Sequence, residues 1–172
     1  MKYQIRNGLF ETNSSSVHAI VVCSDKRPLK IAMKSMPEAL TFTCNSFTSW
    51  DHDVCDDYQT KADYLYTLMA LFADDYRQLD DWKFKVKSHL ASWSINCNFD
   101  VDSEQYASVP SLEQRFVLLF IKFIMKDEIN LLDYLFNPQS FFEKGSDNWN
   151  GDFEYLKPFE GKEVTFKQEF YL

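Results

Sequence analysis

Two segments hold residues whose types and spacing could do chemistry. The first runs Glu11-Thr12-Asn13-Ser14-Ser15-Ser16-Val17-His18, five hydroxyl or amide residues in a row with an imidazole close behind. Such side chains, with the backbone N–H groups of a tight turn, make a donor-rich cup suited to a phosphate or carboxylate. Arg6, Glu11 and His18 could add charge and proton transfer around it. A serine beside a histidine could also act as nucleophile and base. The same residues have an architectural reading. Asn and Ser bond their own backbone in turns, and no glycine flanks Ser14–Ser16 as strained nucleophile turns require. Both readings stay open. Arg6, Glu11, Thr12, Asn13, Ser14, Ser15, Ser16 and His18 either hold a small phosphorylated or nucleotide ligand or close a hairpin.

The second segment is acidic. Between Asp51 and Asp81 lie nine aspartates and no glutamate, with Lys61 and Arg77 the only Lys or Arg, so this stretch holds −7 of the chain's −8 net charge. Asp51, Asp53, Asp56, Asp57, Asp74, Asp75, Asp80 and Asp81 would create a strong negative field if they shared one surface. With Trp50, Tyr58, Tyr76 and Trp82 as anchors, they could meet a partner protein's basic groove or imitate nucleic-acid phosphates. The plain alternative is a solvated face that keeps the chain soluble. Metal binding by Asp51-His52-Asp53-Val54-Cys55-Asp56-Asp57 fails the calcium-loop pattern, which needs a central glycine and a terminal glutamate. Its mixture of hard and soft ligands suits no single metal. No metal and no cofactor are expected.

The elements that must position these residues read as an α+β chain. Tyr3–Arg6 and Val17–Cys23 alternate as an N-terminal strand pair, and the apolar character of both faces of the second strand marks it as central. Leu40–Thr43 adds a short strand. Ala62, Leu65, Leu68 or Met69, and Phe72 form a helical stripe, with Thr60 as N-cap and Asp63 in the capping-box position. Leu79, Trp82, Val86, Leu90 and Trp93 suggest a second helix, although Trp82–Lys87 also alternates like a strand. Ser111 and Gln114 cap a helix through Leu112, Phe116, Leu119 and Phe123. It runs on, or restarts at Asp127, until Asn137 precedes Pro138. After a polar loop at Gly145–Asp152, Phe153–Leu156 and Val164–Tyr171 form a C-terminal hairpin. The expected fold is a single α+β domain over residues 1–172. Its N-terminal strand pair and C-terminal hairpin join a mixed or antiparallel sheet, with three to four helices packed on it.

The bulk properties exclude several roles. The 172 residues are 45% hydrophobic and 17% aromatic, which gives a globular chain with a real core. With 26 acids against 18 bases it is a poor binder of phosphate backbones, whose affinity rests on Lys and Arg. No direct nucleic-acid binding is expected. The most apolar run, Phe116–Met125, is half the length that spans a bilayer, so no membrane association is expected. Four cysteines without a C-x-x-C pair, and an N-terminus without an apolar leader, predict free buried thiols and a cytoplasmic protein.

The run Ile5-Arg6-Asn7-Gly8-Leu9-Phe10-Glu11-Thr12-Asn13-Ser14-Ser15-Ser16-Val17-His18 resembles the N-terminal signature of a group of small, uncharacterised proteins encoded by bacteriophages, prophages and their bacterial hosts. Lys61-Ala62-Asp63-Tyr64-Leu65-Tyr66-Thr67 is similar to a second stretch of that group. The resemblance implies a phage or mobile-element context, hence the cytoplasm of a bacterial host. It transfers no catalytic residue.

No convincing catalytic constellation emerges from the residues. The expected function is therefore a small acidic binding protein, engaging a host or defence macromolecule through the acidic, aromatic-rich face. The alternative is an enzyme or sequestering protein for a small phosphorylated or nucleotide ligand at the Arg6–His18 loop.

Overall fold

The computed structural model describes residues 16–23, 36–48, 53–109, 112, 114–146 and 164–171. The fold is α+β. Its elements are β1 (Ser16–Cys23), β2 (Ala39–Thr43), β3 (Asp53–Cys55), α1 (Tyr58–Phe72), α2 (Tyr76–Ala91), β4 (Asn96–Asp100), a 3-10 turn (Val101–Tyr106), α3 (Gln114–Lys126), α4 (Glu128–Phe136), β5 (Phe141–Ser146) and β6 (Val164–Tyr171). Among the described residues, one sheet has the order β3-β5-β1-β6 and a second pairs β2 with β4.

The first sheet is antiparallel throughout, with β1 between β5 and β6. The apolar alternation of β1 explains that place. Ile20 and Val22 enter the main core, while Val21 and Cys23 pack with Phe141 in a smaller cluster. A strand with two covered faces belongs inside a sheet. The short strand at residues 39–43 exists, but it pairs in parallel with β4, with Phe42 opposite Phe99.

Several expectations need correction. Thr60 does not cap α1. Asp57 does, accepting a 2.8 Å bond from the Thr60 amide while its own backbone is extended. Aspartate is short enough to reach back this way, so the helix begins earlier than its apolar stripe. The expected second helix is present at residues 76–91, where Leu79, Val86 and Leu90 bury one helical stripe, and its strand-like alternative is not. Trp93 lies beyond that helix. Gly145 and Ser146, expected in a polar loop, instead pair with Val17 and Ser16 in the sheet, and the rest of that segment lies outside the described residues. The described partner of β6 is β1. The segments 3–6 and 153–156 and the cap residue Ser111 lie outside the described residues.

Helix restart at Asp127 is confirmed, with its carboxylate accepting from the Ile129 amide, and α4 ends at Asn137. Helix α3 buries Val117, Phe120, Ile121, Ile124 and Met125 along one side. No helix among the described residues is long and apolar enough to cross a membrane.

Aromatic residues fill the centre. Tyr64 stacks on Phe142 with ring centroids 3.9 Å apart, and Phe47 meets both rings edge-on. Helix α1 also carries a polar stripe, Gln59, Asp63 and Thr67, at helical spacing. Gln59 Nε2 donates to the Thr41 carbonyl oxygen at 2.6 Å, and the Thr43 and Asn45 amides donate to Asp63 Oδ1 and Thr67 Oγ1 at 3.0 Å each. That stripe fastens α1 to the backbone of β2 and its exit. Asp63 is therefore a tether to a neighbouring strand, not part of a capping box.

Candidate functional site

Of the hydroxyl-rich segment, Arg6, Glu11, Thr12, Asn13, Ser14 and Ser15 lie outside the described residues. Ser16 and His18 belong to β1. Ser16 pairs with Ser146, and His18 sits between Lys144 of β5 and Phe170 of β6. Ser16 is thus a ladder residue rather than part of the loop.

The acidic residues fall into two groups. Asp53, Asp56 and Asp57 are exposed near the start of α1; Asp74, Asp75, Asp80 and Asp81 are exposed around the start of α2. Asp51 lies outside the described residues. Helix α1 separates the groups, and its 15 residues span about 22 Å at 1.5 Å per residue. Screening weakens exposed charges over about 8–10 Å, so the two groups act as separate fields.

Some of these carboxylates serve the fold. Asp57 caps α1, and its carboxyl is pulled in two directions. Burial pushes it up, but bonds from the Thr60 and Gln59 amides outweigh that and hold it below the ordinary aspartate value. Asp75 caps α2 through the Gln78 amide at 2.8 Å, and Gln78 Oε1 accepts from the Asp74 amide at 2.6 Å. The second bond comes from the residue before the cap rather than from Asp75 itself, a shifted form of the capping box that an aspartate followed three residues later by glutamine announces in sequence.

Of the second group, Asp75 lines a groove of about 580 Å³ between the end of α1, the start of α2 and the 3-10 turn. Its apolar lining includes Leu71, Tyr76 and Val101, which are 41%, 79% and 58% exposed. Asp75, Asp102 and Glu104 supply carboxylates. Sequence reasoning missed the contribution of the 3-10 turn, because Val101–Glu104 lies outside the acidic run and only the fold brings it against α1 and α2. Tyr76 is an exposed aromatic as expected. Tyr58 is partly exposed and lies against Phe136, with ring centroids 5.9 Å apart. Trp82 instead packs against the core, and Phe84, 74% exposed, stands free on α2. Trp50 lies outside the described residues.

The wall of the groove is held by one carboxylate oxygen. Glu104 Oε1 accepts from Tyr66 Oη at 2.5 Å and from Lys83 Nζ at 2.6 Å, and that ammonium lies 5.4 Å from the Tyr66 ring centroid. Burial pushes the Glu104 carboxyl up, but those two donors outweigh it and keep its pKa below the ordinary range. Burial first, then the Glu104 carboxylate, pushes the Tyr66 phenol well above its ordinary value. The hydroxyl therefore stays a neutral donor. This is a positioning network between α1, α2 and the 3-10 turn.

Cys23, Cys44 and Cys55 are buried and Cys97 half-buried, and none of the four is in a disulfide. Burial pushes Cys44 and Cys97 up to about 12, which removes thiolate character at neutral pH. Among the described residues, no three His, Cys, Asp or Glu side chains form a group that could hold a metal ion. The segment Lys61–Thr67 is architecture. Lys61, Tyr64, Tyr66 and Thr67 are buried, and Asp63 binds the β2 exit.

Compared with known protein families, curated proteins and solved structures, the chain matches none.

Proposed function

We propose that this chain is a non-enzymatic binding protein that engages a host or defence protein through the acidic, aromatic-bearing face at the start of α2, in a phage or mobile-element setting. The observation that supports it is the groove. Exposed Leu71, Tyr76 and Val101 lie beside Asp75, Asp102 and Glu104, so apolar anchors and negative charge occur together. A solvated face needs only charge. Large apolar side chains left exposed beside a concavity are what an interface covers. The phage or mobile-element setting rests on the resemblance of the N-terminal signature and of the Lys61–Thr67 stretch alone.

The test is capture from a bacterial lysate with the native chain and with Asp74→Lys combined with Asp81→Lys. Both residues are exposed, and neither carboxylate caps a helix. A specific protein retained by the native chain, lost from the variant and released by rising salt is the expected result. Retention of the same proteins by both chains would overturn the reading.

A further inference from the structure

Taken as the binding surface just proposed, the groove has chemistry that selects among basic partners. Helix α1 runs its C-terminal end into it, through Ala70, Leu71 and Ala73, and has no basic residue in its last turn. A helix end of this kind presents carbonyl oxygens and the negative end of its dipole, both of which favour a cation. The opposing positive end of α2 is answered by Asp75, whose Oδ1 takes the Gln78 amide. Glu104 is offset by Lys83, which also lies 3.8 Å from Asp80. Excess negative charge in the groove therefore rests first on Asp102, with Asp75 adding what the half-charge of the α2 end leaves over. Arg77, exposed on α2, is not part of the lining.

We propose that the groove docks an arginine-bearing segment of the partner protein, with the guanidinium against the Tyr76 ring and within reach of Asp75 and Asp102. Arginine suits this surface better than lysine. Its flat, weakly hydrated head stacks on an aromatic face, and its five donors can serve several separate acceptors. Its methylene stem covers apolar side chains such as Leu71 and Val101. The volume has room for more than one side chain, so neighbouring residues of the segment contribute too.

The full chain is titrated with acetylated hexapeptides of alternating Arg-Leu and alternating Lys-Leu, and with spermidine, while backbone amide shifts are followed by NMR. The arginine peptide should bind about fivefold more tightly than the lysine peptide, the size of one exposed cation–π contact. Its shifts should centre on residues 71–76 and 101–105. Tyr76→Ala should erase the preference, Tyr76→Phe should keep it, and Asp102→Asn should weaken both peptides. Tyr76 and Asp102 are exposed, so the fold tolerates these changes. Equal affinities, both weakened by Asp102→Asn, would overturn the arginine assignment and leave the acidic-face reading standing. Spermidine binding as tightly as the arginine peptide would overturn the protein segment in favour of a small polyamine. Peptide binding unmoved by either substitution would overturn the groove. Failure of both peptides, with lysate capture still dependent on Asp74 and Asp81, would overturn this proposal alone.

Discussion

The ammonium of Lys61 donates to the carbonyl oxygen of Ser140 at 2.9 Å, joining residues 79 positions apart. It also donates to the Asn137 carbonyl oxygen at 3.1 Å and is only 1% exposed. The first turn of α1 is thereby pinned to the turn between α4 and β5. That turn in turn holds the end of β1, since Asn137 Nδ2 donates to the Cys23 carbonyl oxygen and the Cys23 amide donates to Ser140 Oγ. Helix, turn and central strand meet through one buried lysine.

Burial pushes the Lys61 ammonium down to about 8, against the opposing pull of Asp56 and Asp57. The folded state thus binds this proton less tightly than the unfolded chain. The sign follows from linkage: the lysine's contribution is least favourable below pH 8 and improves as pH rises towards 10.5. Its full span is on the order of 3 kcal/mol. Cys44 and Cys97 act oppositely, because thiols raised by burial lose their contribution as pH climbs from 9.0 towards about 12. Lys61→Met should isolate the lysine. Native stability relative to the variant should grow between pH 7 and pH 10 in urea titrations. A constant difference would show that Lys61 does not titrate in that window.

The acidic stretch divides into capping and non-capping aspartates. Asp57→Ala and Asp75→Ala should each cost about 0.5–2 kcal/mol through a lost N-cap, whereas Asp81→Ala should stay within about 0.5 kcal/mol. The Asp57 contribution should be present above the ordinary aspartate pKa and fade as pH falls through its lower folded value. Urea unfolding of the three variants at neutral pH, and of Asp57→Ala on acidification, checks both statements. Equal costs at all three positions would remove the distinction.

Glu104→Gln should loosen the 3-10 turn without touching the far side of the core. It exchanges a carboxylate that accepts from Tyr66 and Lys83 for a neutral amide, and bonds to charged groups contribute about 1.5–3 kcal/mol. Amide hydrogen exchange should quicken at residues 101–106 and remain slow in α3 and α4. Uniform acceleration over the whole chain would mean that the network supports global stability instead.

Much of this was legible in local pattern. The apolar alternation of β1 revealed its central place, the repeating stripes revealed α1 and α3, and Asn137-Pro138 marked the end of α4. The cap of α1 was missed because the apolar stripe starts after Thr60, while Asp57 works through its own backbone and side chain. Strands β3, β4 and β5 were missed for a different reason. Asp53–Cys55, Asn96–Asp100 and Phe141–Ser146 are short and mostly polar outside the aromatic positions, and each is extended because a partner strand completes its hydrogen bonds.

The sequence by itself determined the composition of the acidic stretch and the α+β class, because charge and periodicity are local. It did not determine which acids stand together. Tertiary structure parted Asp56 and Asp57 from Asp74 and Asp75 by the length of α1, and brought Val101, Asp102 and Glu104 against Leu71 and Tyr76 instead. It also turned Trp82 towards the core and left Phe84 exposed, two residues apart on one helix. Only packing decides such matters. A side chain's neighbours across the chain depend on which helix face is buried and where the next element crosses it, and no window along the sequence contains both.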